Sequence, residues 1–142
     1  MKTQITNISR NIHNSLFATC ATGLTWILGE WDTPLQVLMV FVILDYITGV
    51  LSGVVNKRLS SCTGFNGIAK KSVIFVMLIV AVMVDRILEN DTWVVRNLTC
   101  FFYIANEGIS ILENATSLGV PVPDKVRDIL IQLKDGNKKG SN

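Results

Sequence analysis

Charge is absent from long stretches of this chain and gathered between them, and that arrangement limits its fold more than any motif does. Ser15 to Gly29 holds no charged residue, Thr33 to Asn56 holds one, Asp45, and Ser72 to Val84 holds none. A helix that crosses about 30 Å of hydrocarbon needs about 20 mostly apolar residues. The second stretch meets that length unaided. The first and third meet it if their flanks snorkel or the helices tilt. A chain of 142 residues, 49% of them hydrophobic, is too small to bury several all-apolar helices within itself. The expected fold is therefore an all-α integral membrane protein, with three to four transmembrane helices and a short amphipathic C-terminal helix.

Residues 1–14 read as a polar N-terminal arm and residues 15–114 as the transmembrane domain, with segments at about 15–29, 34–56, 71–88 and 93–114. Lys2 and Arg10 precede the first apolar run as they would in a leader peptide. No A-x-A-like site ends that run, so the segment is expected to be retained. Ala18, Thr22, Thr25 and Gly29 give it a face of small residues suited to close helix packing. Glu30 to Pro34 is an acidic turn with Pro34 placed to open the next helix. Residues 119–142 read as a cytoplasmic amphipathic helix and tail. Gly119 to Pro123 breaks the chain, Val126, Ile129, Leu130 and Leu133 share a face, and the tail is polar from Gly136.

Lys and Arg in the short loops set the orientation. With four spans, Lys2 and Arg10, then Lys57, Arg58, Lys70 and Lys71, then Lys125, Arg127, Lys134, Lys138 and Lys139 all fall on one side. The two opposite loops carry Arg86 among Glu30, Asp32, Asp85, Glu89 and Asp91. Both termini are thus expected in the cytoplasm, with Lys57, Arg58, Lys70 and Lys71 as topology anchors attracted to anionic lipid. Trp26, Trp31 and Trp93 all fall at the outer interface, where amphipathic rings prefer to sit. With three spans, segment one or segment four lies in the interface, and the middle loop stays inside.

Three features could carry function. Asp45 lies halfway along segment two, where an ionised carboxylate costs about 2.5–3.5 kcal/mol, so it must face protein or water or be protonated. It is either a packing carboxylate bonded to a neighbouring helix or a functional group. Gly49 and Gly53 form a GxxxG groove on the same face. In segment four, Arg96, Thr99, Tyr103, Asn106, Glu107, Ser110 and Glu113 recur at threes and fours as one polar stripe. Cys100 and Asn114 extend it. Such a stripe could line a pore, lie in the interface, or pack on the rest of the bundle. Cys20, Cys62 and Cys100 are too scattered for a metal or redox site, and His13 has no second ligand nearby. No HExxH, CxxC, GxSxG or GxGxxG occurs, and the middle loop lacks a phosphate-loop pattern. The expectation is a protein without catalytic residues, metal, cofactor or nucleic-acid partner.

Several motifs then resemble, in order, the toxin-secretion/phage-lysis holin family. They are Trp31-Asp32, Asp45-Tyr46-Ile47-Thr48-Gly49, Lys57-x-Leu59-Ser60-Ser61, Gly64-x-x-Gly67-Ile68-x-Lys70-Lys71, Asn106 to Asn114, and Gly119-Val120-Pro121-Val122-Pro123. The resemblance runs from about Gly29 to about Leu133. It implies a small phage or prophage protein of the bacterial cytoplasmic membrane that associates with itself and opens lesions. A cell-wall hydrolase or a toxin would leave through them as cargo, without specific binding. Two other classes fit the same residues: a small ion or solute channel or transporter with Asp45 as its site, and a non-conducting membrane scaffold.

Overall fold

In the computed structural model, which describes residues 2–58 and 60–135, five helices follow in order. They are α1 (Lys2–Leu28), α2 (Thr33–Val55), α3 (Ser61–Ile87), α4 (Val94–Ser117) and α5 (Asp124–Asp135). No strand occurs among the described residues. Leu59 and the tail from Gly136, with Lys138 and Lys139, lie outside them. The chain divides into two units, Met1–Trp31 and Asp32–Asn142.

The first unit is a single helix. The polar arm and segment one are continuous in α1, because neither Gly nor Pro interrupts the chain before Gly23. Thr19, Thr22 and Thr25 each donate a hydroxyl to the carbonyl four residues back, at 2.9 Å. Hydroxyls bonded this way need no water and suit an apolar solvent. α1 stops where Gly29 takes φ +81°, the left-handed turn that ends helices at little cost to glycine.

In the second unit, Asp32 caps α2 by accepting from the Leu35 amide at 3.2 Å. Pro34 sits in the first turn, where its missing N–H is no loss. α3 begins at Ser61 rather than near Lys71, so most of the expected basic loop is helical and the turn shrinks to the residues around Lys57 and Arg58. In lipid a helix is the cheapest way to satisfy backbone groups, which outweighs the low helix propensity of Gly64 and Gly67. α4 ends near Gly119, also at φ +81°.

Side-chain bonds fix the direction of the helices. Those between α2 and α4 join Asp32 to Arg96, Thr48 and Asp45 to Asn114, and Ser52 to Ser117, at sequence separations of 64, 66, 69 and 65. A near-constant offset means that α2 and α4 run parallel and in register. α3 runs the other way: Lys71, early in α3, reaches Asp45, while Asp85 at its end meets the start of α4. Apolar side chains fill the space between: Leu35, Leu38 and Val42 of α2, Ile74, Leu78, Ala81 and Val82 of α3, and Cys100, Ile104 and Ala105 of α4.

The outside is greasier than the inside. Val40, Ile43, Ile47, Leu51 and Val54 of α2 and Val73, Val76 and Val80 of α3 are exposed, while Asp85 and Arg96 are 0% exposed. Only 11% of the most apolar window of α2 is buried, the opposite of a soluble core helix. Thr33–Val55 and Gly64–Ile87 are long and apolar enough to cross a bilayer on their own, and they are the two such helices among the described residues.

A charged clamp closes one end of the unit. α4 starts after Trp93, which is left-handed at φ 52° and provides no side-chain cap. Asp85 of α3 supplies the cap instead, accepting from the Val95 and Arg96 amides at 3.0 and 2.8 Å and from Asn90 Nδ2 at 3.3 Å. The Arg96 guanidinium then grips Asp32 with two bonds, of 2.7 and 3.0 Å. Three helices are tied through three residues, Asp32, Asp85 and Arg96. Beside the clamp, the Arg86 guanidinium lies 5.9 Å from the Trp93 ring centroid, at cation–π range. Asp85→Ala should destabilise the detergent-solubilised protein by about 1–2 kcal/mol, the usual loss for a helix cap, with Asp85→Asn milder, as read from denaturant unfolding. The Arg96 hydrogen bonds hold the Asp32 carboxyl below its ordinary pKa of 3.8. Its contribution to stability is therefore complete above that pH and is lost as pH falls through the lowered value. Asp32→Asn should abolish this acid-limb dependence in the same unfolding measurement.

Candidate functional site

A second polar cluster lies deeper in the same unit. Asp45 is about 20 Å along α2 from Asp32, at 1.5 Å per residue. The register of α2 with α4 brings Glu107 to the same depth, and the antiparallel run of α3 brings Lys71 there from the other side. The Lys71 ammonium donates to Asp45 Oδ2 at 2.7 Å and also to Glu107 Oε2. The three side chains are between 11% and 14% exposed. Asn114 of α4 donates from Nδ2 to Asp45 Oδ1 at 3.0 Å and to the Thr48 hydroxyl at 3.2 Å. A little further along, the Ser52 and Ser117 hydroxyls meet at 2.5 Å. With both carboxylates ionised, the cluster has a net charge of −1. One ammonium serves two carboxylates from two other helices.

The residues singled out by sequence divide here. Asp45 does face protein. Gly49 faces α4 of its own chain, where an added Cβ would stand 3.6 Å from Asn114 Nδ2, an ordinary contact. Gly53 accepts the Arg58 amide through its carbonyl at 2.9 Å. The polar stripe of α4 splits into two lines. Arg96 and Glu107, with Cys100 and Asn114, turn inward against α2 and α3. Thr99, Asn106 and Glu113, spaced by sevens, lie on the flank. Thr99 is satisfied by its own helix, donating to the Val95 carbonyl at 2.8 Å, and no hydrogen bond among the described residues reaches Asn106 or Glu113. Tyr103 and Ser110 lie between the two lines and are half-buried. Of the expected anchors, Lys57, Arg58 and Lys70 are exposed, whereas Lys71 is drawn into the bundle.

The roles of Asn114 and Gly108 escaped the sequence reading as well. Asn114 looked like the end of a stripe, and its role appears only once the α2–α4 register is known. Gly108 carried no signal beyond being a glycine. It is where α5 folds back onto α4: an added Cβ there would stand 2.9 and 3.1 Å from the Leu130 methyls and 3.2 Å from the Phe41 ring. Cys20 and Cys100 are free thiols, exposed and buried respectively, and no cluster among the described residues could hold a metal.

The cluster yields a double prediction. Lys71→Met strands two carboxylates together in a poorly hydrated site and should destabilise the protein by about 3–5 kcal/mol. Adding Asp45→Asn and Glu107→Gln should restore most of that loss, since neutral amides can bond one another. Unfolding of the purified protein in detergent reads both effects, and a triple variant no more stable than Lys71→Met would show that the ammonium acts through packing alone.

Comparison with known proteins agrees with this architecture. The model of a bacteriophage holin family matches residues 22–135. A 14.9 kDa protein of the nagH 3' region in Clostridium perfringens is 56% identical over 118 residues, covering 83% of this chain and 88% of its own. A Listeria monocytogenes protein, Lmo0128, is 41% identical over 108 residues, covering 75% of each. A probable holin of Bacillus phage phi105 is 37% identical over 103 residues, covering 72% of this chain and 76% of its own. No solved structure matches. The family consists of membrane pore formers and not enzymes. An inverted apolar surface, charge pairs held inside a helical unit and a family match over most of the length lead to one conclusion: this chain belongs to the bacteriophage holin family.

Proposed function

We propose that this holin oligomerises in the bacterial cytoplasmic membrane and opens lesions through which a cell-wall hydrolase or a toxin leaves the cell. α2 and α3 span the bilayer, α4 crosses as a further span, and α1 supplies the fourth. Both termini then lie in the cytoplasm, with Arg86 and the acidic turns outside. The observation that carries the reading is the flank of α4. The offset to α2 places Asn106 opposite residues 37–42, inside the Thr33–Val55 span, and its amide has no partner among the described residues. An unbonded amide at that depth is costly against lipid. In an assembly, Thr99, Asn106 and Glu113 face water in the lumen, with Tyr103 and Ser110 at the subunit boundary.

The channel alternative is weaker on chemical grounds. Asp45 would be its cation site, but a tethered ammonium already occupies that place.

Release of a folded cytoplasmic reporter, run beside crosslinking, tests the proposal. Asn106→Leu and Glu113→Leu should insert and crosslink normally yet cut reporter release at least tenfold, while Glu113→Gln should release like the parent. Release of ions without protein from the parent would exclude a lesion. In the same cells a cysteine at Asp91 should react with an external probe and one at Ser60 should not. Labelling at Ser60 would reverse the orientation.

A further inference from the structure

α5 is held to the second unit by apolar contact. It packs along α4, seated by Leu130, whose methyls would stand 2.9 and 3.1 Å from a Cβ added at Gly108. No hydrogen bond or ion pair among the described residues ties an α5 side chain to another helix. The linker before it runs from Gly119, at φ +81°, through Pro121 and Pro123, and the prolines have no amide hydrogen to tie it down. α4 ends level with the end of α2, since the Ser52 and Ser117 hydroxyls meet, and the Lys57–Arg58 turn follows directly on α2. Where α2 spans the bilayer, this end of the unit lies at a membrane surface.

The seated helix leaves apolar surface uncovered: Val126, Ile129 and Leu133 are 43%, 57% and 45% exposed. At about 3.6 residues per turn they share one face with Leu130, with Lys125 and Arg127 on its two borders and Asp124 and Asp128 on the far side. A second α5 laid on that face would bring cations to both borders and no carboxylate to meet them. A phospholipid surface offers the complement, acyl chains under the apolar face and phosphates beside both cations, with the aspartates turned to water. We propose that this face of α5 docks on an anionic phospholipid surface beside the Lys57–Arg58 turn, and that docking exchanges with the seat on Gly108, because Leu130 serves both. Residues 119–123, fully extended, reach about 17 Å, enough to swing α5 away from α4. Lesion formation is not required for this exchange.

Single copies of the full chain in nanodiscs of phosphatidylcholine, with or without phosphatidylglycerol, provide the test. Dyes on non-natural residues at Phe101 of α4 and Gln132 of α5, both exposed, report energy transfer that is high when α5 is seated and low when it lies on lipid. Phosphatidylglycerol should raise the ratio of released to seated chains at least tenfold, since each border cation contributes about fivefold. Lys125→Glu combined with Arg127→Glu should cancel that rise. Gly108→Leu, which fills the seat, should give low transfer in both lipids while circular dichroism stays unchanged. Should Gly108→Leu misfold, Leu130→Ala empties the seat and should lower transfer in phosphatidylcholine. Equal transfer in the two lipids for the parent would overturn the proposal, and so would a phosphatidylglycerol response that survives the charge reversal. Release confined to nanodiscs holding two copies would make a second chain the occupant, against the proposal.

Discussion

One ammonium ties α2, α3 and α4 together in the interior of the second unit. Lys71 comes from α3, its two carboxylates from α2 and α4, and none of the three is tolerable there without the others. An insertion cost of about 2.5–3.5 kcal/mol per lone charge would expel any one of these helices or force it to neutralise. Paired, they couple the register and the rotation of all three helices, because one ammonium has to reach carboxylates on two other helices at once. The Asp32–Arg96–Asp85 clamp repeats the logic at the other end, about 20 Å away along α2. The apolar core lies between two polar layers, each of which draws on all three helices.

This arrangement changes what a polar stripe on α4 means. A helix with polar residues at every third or fourth position seems designed to meet water, yet Arg96, Glu107 and Asn114 are already engaged within the chain. What remains for an assembly is the flank with Asn106 and Glu113. In the proposed assembly a single chain thus keeps these charges paired within itself, and the flank groups are left to drive association. Interhelical bonds of that kind contribute about 0.6–2 kcal/mol each in membranes, so association through this flank draws on several of them together.

Much of this was legible in the sequence, and the reason is that lipid is an intolerant solvent. The charge-free stretches gave the helical class, Pro34 and Gly119 marked real boundaries, and Asp45 stood out because a carboxylate in an apolar run demands a partner. What stayed hidden was the identity of that partner. Lys71 looked like the end of a loop because Gly64, Gly67 and two lysines suggest a break in a helix, whereas α3 continues through all of them. Glu107 and Arg96 looked alike to Asn106 and Glu113 because a stripe read at threes and fours is wide enough to cover two faces. The offset of 64 to 69 residues separates those faces, and it is a tertiary quantity with no signature in either helix alone. Asp85 was invisible for the same reason, since it caps a helix other than its own.

α5 shows how far that intolerance extends. Leu130 rests on Gly108 and beside Phe41, so the helix turns back along α4. Yet α5 carries Asp124, Lys125, Arg127 and Asp128, all exposed, next to exposed Val126, Ile129 and Leu133. Asp124 and Arg127 share a pocket with Glu113, Thr116 and Ser117, near the C-terminal end of α4. The Glu113 end of the α4 flank and the charged face of α5 therefore meet at one place on the surface of the second unit. In the proposed assembly, water that reaches Glu113 reaches these α5 charges as well, so the two helices share one polar surface there instead of presenting two.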